Sequence, residues 1–180
     1  MNPLPTKQLS NNLFAVKTWT VNFYVINGNG AIICIDSGFI PYLIKKELKN
    51  IGIHPKDITH LLLTHSDVDH IGGLELFENA KIYLPIKEEI MINRQIPRKF
   101  GFIYNPKIHR PYTPLKDGDT LKIGQTKIQA IATPGHTPGS MSYLVDNTLL
   151  FVGDTFKLIN NKVFCISSRF SMNTEQQKNP

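Results

Sequence analysis

Six consecutive residues, His65-Ser66-Asp67-Val68-Asp69-His70, set four side chains able to hold a metal ion just after the apolar run Leu61-Leu62-Leu63. The chain has only 6 histidines in 180 residues, so four such groups at this spacing would arise by chance with a probability on the order of 10⁻³. A strand that ends and loops back turns alternating side chains about one point, and Gly72-Gly73 let the following backbone come close. Imidazoles and carboxylates that converge without Lys or Arg beside them stay desolvated and repel unless a divalent cation neutralises them. The plain alternative is a solvated acidic turn. Two later segments carry further candidates at strand ends: Thr133-Pro134-Gly135-His136-Thr137-Pro138-Gly139-Ser140 and Phe151-Val152-Gly153-Asp154-Thr155. Each alone reads as a turn. Beside the first cluster they extend it.

The elements that must position these groups follow from periodicity. Leu13 to Ser37 reads as a hairpin or meander with a turn at Asn27-Gly28-Asn29-Gly30. Pro41 opens a helix whose Leu43, Ile44, Leu48 and Ile51 fall on one side, and Gly52 ends it. Ile58 to Thr64 reads as a strand buried on both faces. A second helix is expected to begin near Gly72 or Gly73, followed by a short strand over Lys81 to Leu84 and a helical stretch over Ile86 to Arg94. Beyond Pro114 the pattern predicts strands at Thr120 to Ile131, Ser142 to Asp146, Thr148 to Val152 and Val163 to Ile166. Thr174-Glu175-Gln176-Gln177 matches a capping box.

Composition bounds the rest. With 41% hydrophobic and 19% charged residues the chain reads as one ordinary soluble domain over residues 1–180, which excludes disordered, collagen-like and coiled-coil classes. A net charge of +6 favours anionic ligands but is too small to require nucleic acid. No apolar run approaches the ~18 to 20 residues of a membrane span. The first residues lack the basic-then-apolar order of a signal peptide, so a cytoplasmic location is the expectation. Cys34 and Cys165 lie in apolar runs and read as unpaired strand residues.

The pattern His65-x-Asp67-x-Asp69-His70, followed by Thr-Pro-Gly-His136-Thr-Pro-Gly-Ser and Gly-Asp154-Thr, resembles the metallo-β-lactamase superfamily of hydrolases. Ile35-Asp36-Ser37-Gly38 looks like that superfamily's Asp-Thr-Gly element, and the resemblance runs in order from about Leu13 to Asp154. It implies an α/β (α+β) fold, a four-layer αββα sandwich with a metal site at one edge of the two sheets. It also implies that His65, Asp67 and His136 hold one divalent metal, zinc foremost, that Asp69 and His70 hold a second, and that Asp154 bridges them. Water activated there would attack a carbonyl or phosphoryl centre, with Asp69 as the catalytic residue steering its proton where it is not committed to a metal. Asp36 reads either as a residue that orients a ligand or as a purely structural one.

Two departures from the family pattern matter. Where the usual motif is His-x-His-x-Asp-His, this chain has Asp67 at the second histidine's position. A hard, negative oxygen in place of a neutral nitrogen should weaken the Lewis acid and widen tolerance for iron or manganese beside zinc. That carboxylate also resembles the flavodiiron proteins, whose motif carries Glu there, although those contain a flavin domain. Secondly, the family's last ligand is a histidine after the Gly-Asp-Thr strand, and none follows His136. The resemblance therefore leads to the expectation of a C-terminally incomplete chain, a weakly held second metal and an exposed edge that invites homo-oligomers.

Arg94, Arg98, Lys99, Lys107, Arg110 and Lys116 fall in one stretch without an acidic residue, interleaved with Phe100, Phe102, Tyr104 and Tyr112. It reads either as a loop that holds an anionic substrate, with Arg98 and Arg110 as the binding residues, or as a solvated basic loop. The expected function is a metal-dependent hydrolase of a small-molecule ester, thioester, lactone or phosphoester. A non-hydrolytic di-iron redox protein, or a catalytically impaired binding or assembly module on the same fold, is the alternative.

Overall fold

The computed structural model describes residues 3–28 and 30–178. Seven strands pair in sequence order: β1 (Lys7–Ser10), β2 (Leu13–Lys17), β3 (Asn22–Gly28), β4 (Ala31–Ile35), β5 (His60–Leu62), β6 (Lys81–Pro85) and β7 (Tyr112–Leu115). Pairing is antiparallel from β1 to β4 and parallel from β4 to β7. A second, antiparallel sheet holds β8 (Thr120–Ile123), β9 (Thr126–Ala132), β10 (Met141–Val145) and β11 (Leu149–Phe151). β12 (Phe156–Ile159) and β13 (Lys162–Cys165) form a separate hairpin.

Parallel pairing needs a crossover, and α1 (Pro41–Asn50) supplies the one between β4 and β5. Pro41 occupies the first turn, where its missing N–H costs nothing, and Ile44 and Leu48 are buried. Gly52, at φ +71°, lets the chain leave the helix. The helix-side core takes Ile44, Leu48, Leu61, Leu63, Phe23 and Phe77, whereas Leu62 faces a second core with Ile33, Ile35, Ile128 and Tyr143 between the two sheets. This division explains the unbroken apolar run around β5, since both faces of a parallel strand are covered. The described residues thus give helix, sheet and sheet, three packed layers of the expected four. On the outer face of the smaller sheet Leu150 stays 55% exposed.

Several boundaries differ from expectation. The stretch from Thr120 to Ile131 is not one strand but β8 and β9, folded back at Gly124, where φ is +59°. The β3–β4 turn, by contrast, falls where Asn27-Gly28-Asn29-Gly30 was expected to make it, with Gly30 at φ +86° and Asn29 outside the described residues. The second helix, α2 (Val68–Ile71), ends before Gly72 instead of starting there. A Cβ on Gly72 would sit 2.2 Å from the Phe39 carbonyl oxygen, and one on Gly73 2.3 Å from that of Ser37. These glycines therefore serve close backbone approach. A tight turn at Ile86–Glu88 leads into α3 (Glu89–Ile92). The final helix, α4 (Thr174–Lys178), is capped by Asn173, whose Oδ1 accepts from Gln176 N at 3.0 Å, one residue earlier than the Thr174 capping box implied. β1, β7 and β12 had no sequence expectation. All four residues of β1 are exposed, so it carries no burial pattern to read. Cys34 and Cys165 are both free, and among the described residues no helix is long and apolar enough to cross a membrane.

Candidate metal centre

The carboxyl ends of the parallel strands, where helix-flanked sheets gather their ligands, converge on one spot. Asp36 directly follows β4 in a left-handed conformation, φ +62°, which Asp tolerates better than most residues. Thr64 follows β5, and both its N–H and its hydroxyl donate to the Asp36 carboxylate, at 2.7 Å and 2.8 Å. His65, Asp67 and His70 come next, with Asp67 leading into α2. From the second sheet, the turn after β9 brings His136 and the turn after β11 brings Asp154.

Two groups of potential ligand atoms result, each with its members within 4.8 Å: His65, Asp67 and His136 in one, His65, His70 and Asp154 in the other. His136 Nε2 stands 3.1 Å and His65 Nε2 3.6 Å from Asp67 Oδ2. His70 Nε2 lies 3.4 Å from Asp154 Oδ1, and His136 Nε2 lies 3.8 Å from Asp154 Oδ2. The rings are held from behind: His70 Nδ1 contacts Asp36 Oδ2 at 2.8 Å and His65 Nδ1 contacts Thr64 Oγ1 at 2.9 Å. With the proton of His70 on Nδ1, facing Asp36, Nε2 is free to ligate. Among the described residues, His65 Nε2, His70 Nε2 and His136 Nδ1 are buried with no hydrogen-bond partner. Buried polar atoms left unpaired are costly, and inward-facing imidazole nitrogens beside carboxylates suit a zinc, iron or manganese ion. The residues present therefore fit a divalent metal.

The electrostatics are set by the carboxylates, the imidazoles and the Arg98 guanidinium together. Burial works against a charged His70, yet the carboxylates of Asp36 and Asp154 outweigh it and hold its pKa well above the ordinary value. Burial likewise opposes ionisation of Asp154, but His70, His65 and His136 pull it well down. Asp67 is also well lowered: against burial stand its contacts with His136, His65 and Arg98. His136 is lowered chiefly by its own burial.

Other expected residues fall differently. Asp69 belongs to neither group, and its Oδ2 accepts from the Thr20 hydroxyl at 3.1 Å. Arg98 is at the centre itself. Its Nε donates to both Asp67 oxygens, at 2.8 and 2.9 Å, its Nη2 stands 3.1 Å from His136 Nε2, and Nη2 also donates to the Phe170 carbonyl. Arg110 is committed to the main chain, donating to the carbonyls of Leu74, Phe77, Glu78 and Ala80. Cavities of about 380 Å³ and 240 Å³ flank the centre, the first reaching Asp36, His70 and Asp154, the second Asp67, Asp69 and Arg98.

Sequence reasoning missed three supports. Glu88, fully buried, accepts from Ser66 N at 2.8 Å, from the Ser66 hydroxyl, from Thr137 Oγ1 at 2.6 Å and from Gly139 N at 3.0 Å, so one carboxylate ties the His65 loop to the His136 loop. Asn105 donates to Ser66 Oγ and to Asp67 Oδ1. Gln177 of α4, also buried, donates to the Thr155 carbonyl at 2.8 Å. Nothing in the local sequence Ile86-Lys87-Glu88-Glu89-Ile90 sets Glu88 apart from its charged neighbours.

Residues 16–163 match the family model of the metallo-beta-lactamase superfamily. The uncharacterised Bacillus subtilis protein YobT is 31% identical, over 77% of this chain and 63% of its own length. A hydroxyacylglutathione hydrolase of Xylella fastidiosa is 33% identical, over 91% of this chain and 52% of its own. The chain thus spans between half and two thirds of the length of these curated relatives. The crystal structure of BJP-1, a subclass B3 metallo-beta-lactamase of Bradyrhizobium japonicum, covers 92% of this chain and 63% of its own with a TM-score of 0.68 at 24% identity, a likeness of fold.

Proposed function

The chain belongs to the metallo-beta-lactamase superfamily, and from that footing we propose that it is a metal-dependent hydrolase of small acyl substrates, thioesters or esters. The observation that carries the proposal is the convergence of His65, His70, His136, Asp67 and Asp154 with two inward-facing Nε2 atoms unpaired. When bound, a divalent ion supplies Lewis acidity and an activated water for attack on a carbonyl centre. The protein's own residues do the rest. Asp36 and Thr64 fix the His70 and His65 rings, and Asp69, held by the Thr20 hydroxyl and lining the cavity that reaches Asp67, would take a proton from water. A thioester is preferred because the hydroxyacylglutathione hydrolase similarity extends over nearly the whole chain. Lys99, which lines the smaller cavity, offers positive charge to an anionic substrate end, whereas the charge of Arg98 is already offset by Asp67.

The test is metal analysis of the purified protein together with turnover of a thioester, ester and phosphodiester panel. Zinc, iron or manganese should be retained and thioester cleaved by the wild type, and both should be lost in His70→Ala and Asp154→Ala. Retained metal with no turnover of any substrate in the panel would overturn the hydrolase reading.

A further inference from the structure

Arg98 touches two of the three residues of one ligand group and none of the residues peculiar to the other. Its Nε spans both oxygens of Asp67, and its Nη2 meets His136 Nε2 at 3.1 Å. Asn105 adds a second donor side chain at Asp67, 3.1 Å from Oδ1. Nη2 also bonds the carbonyl of Phe170 at 2.8 Å, so the guanidinium is held from both sides, and its side chain is only 13% exposed. A guanidinium has donors and no acceptor. His136 Nε2 lies 3.1 Å from both Arg98 Nη2 and Asp67 Oδ2, and with the ring proton on Nδ1 it turns its lone pair to the guanidinium, the same lone pair a metal ion requires. At Asp67 the guanidinium likewise supplies the positive charge a metal would bring.

We propose that Arg98 is a tethered cation that competes with metal for Asp67 and His136, leaving His65, His70 and Asp154 as the group filled first. The carboxylate at position 67 and the arginine at 98 then form one unit. Asp67 holds the arginine in place, and the arginine screens the carboxylate while the neighbouring group loads. Occupation of the Asp67–His136 side requires the segment carrying Arg98 and Asn105 to swing away. The inference rests on the metal reading above but not on turnover.

The experiment is a Co²⁺ titration of the metal-free protein against a chelator of fixed affinity, followed by visible absorption and elemental analysis. It compares wild type, Arg98→Met, Asp67→Asn and the double variant. The wild type should retain one tight ion, with little change in Asp67→Asn. Arg98→Met should gain roughly ten- to a hundredfold in affinity on the Asp67–His136 side, the scale of hydrogen bonds to charged groups, and Asp67→Asn should cancel that gain. Arg98→Lys, which keeps the charge but not the planar fork, should show a smaller gain with the same dependence on Asp67, and it carries the test if Arg98→Met fails to fold by circular dichroism. An unchanged or weaker affinity in both arginine variants, or a gain that survives Asp67→Asn, would overturn the proposal. Tight binding without turnover would instead count against the hydrolase reading alone, and no binding in any variant would sink both.

Discussion

Replacing Glu88 by Gln removes almost no volume, so its effect isolates the hydrogen bonds between the two ligand loops. Oε2 accepts from Ser66 N and its hydroxyl, and Oε1 from Thr137 Oγ1 and Gly139 N. An amide oxygen can serve one of these pairs, and the amide nitrogen must then face the other. A hydroxyl can turn to accept from that nitrogen, but a backbone N–H cannot. One buried N–H is therefore left unpaired at a cost of about 1–3 kcal/mol, and the surviving bonds weaken from those of a carboxylate to those of a neutral amide. Together these give roughly 3–5 kcal/mol, which for a chain of this size lowers Tm by about 6–20 °C. Thermal and urea unfolding of the metal-free protein, with and without the substitution, measures this directly. A variant melting within about 2 °C of the wild type would refute the reasoning and show that the loops are held without Glu88.

Further expectations follow from the same geometry. Asp36→Asn should weaken metal retention by about 10- to 100-fold, since the amide no longer fixes the His70 tautomer; equilibrium dialysis checks it. Arg110→Met should destabilise the fold by about 2–4 kcal/mol through four abandoned carbonyl bonds while leaving metal content unchanged, by urea melts and elemental analysis. The raised pKa of His70 means that its contribution to stability in the metal-free protein is full below the ordinary value of about 6.5 and is lost as pH rises through the folded value. The lowered carboxyls of Asp67 and Asp154 contribute above about 4, and that contribution is lost as pH falls through their folded values. His136 and His60, lowered chiefly by burial, oppose His70 only below about 6.5, so from there to about 8 the decline belongs to His70, and at higher pH the raised Cys34 and Tyr143 add theirs. Tm in chelator should therefore fall on the alkaline side. Tm with metal should hold or rise there, because the ion displaces the same proton.

How much of this was legible depended on distance along the chain. His65, Asp67 and His70 announce themselves because a strand end and a single helical turn place them within six residues, and the run 61–63 shows both faces buried. The doubled glycines were legible as a close approach but not as the end of α2, because nothing local says on which side of them the helix lies. Gly124, between the alternating segments Leu121-Lys122-Ile123 and Thr126-Lys127-Ile128, is the turn signal that separates β8 from β9, yet the continuous alternation around it hid the break. The partnership of Arg98 with Asp67 spans 31 residues, and that of Glu88 with Thr137 spans 49. Such pairings are set by tertiary packing, and periodicity cannot carry them. Arg110 illustrates the converse: a basic residue in a basic loop reads as a ligand anchor, whereas its planar fork is spent on four backbone oxygens.

The segment before and within α4 lies directly against the ligand loops. Met172 N bonds the His136 carbonyl at 3.1 Å, Asn173 N bonds that of Gly135 at 2.8 Å, and Gln177 reaches Thr155 beside Asp154. A Cβ on Gly135 would sit 2.6 Å from the backbone of Gln177. Amide protons of 133–139 and of 172–177 should then exchange with solvent as one cooperative unit. Opening this strap would expose a histidine and a carboxylate donor in the same event, making local unfolding, more than diffusion through either cavity, the step that governs how fast a bound ion can leave.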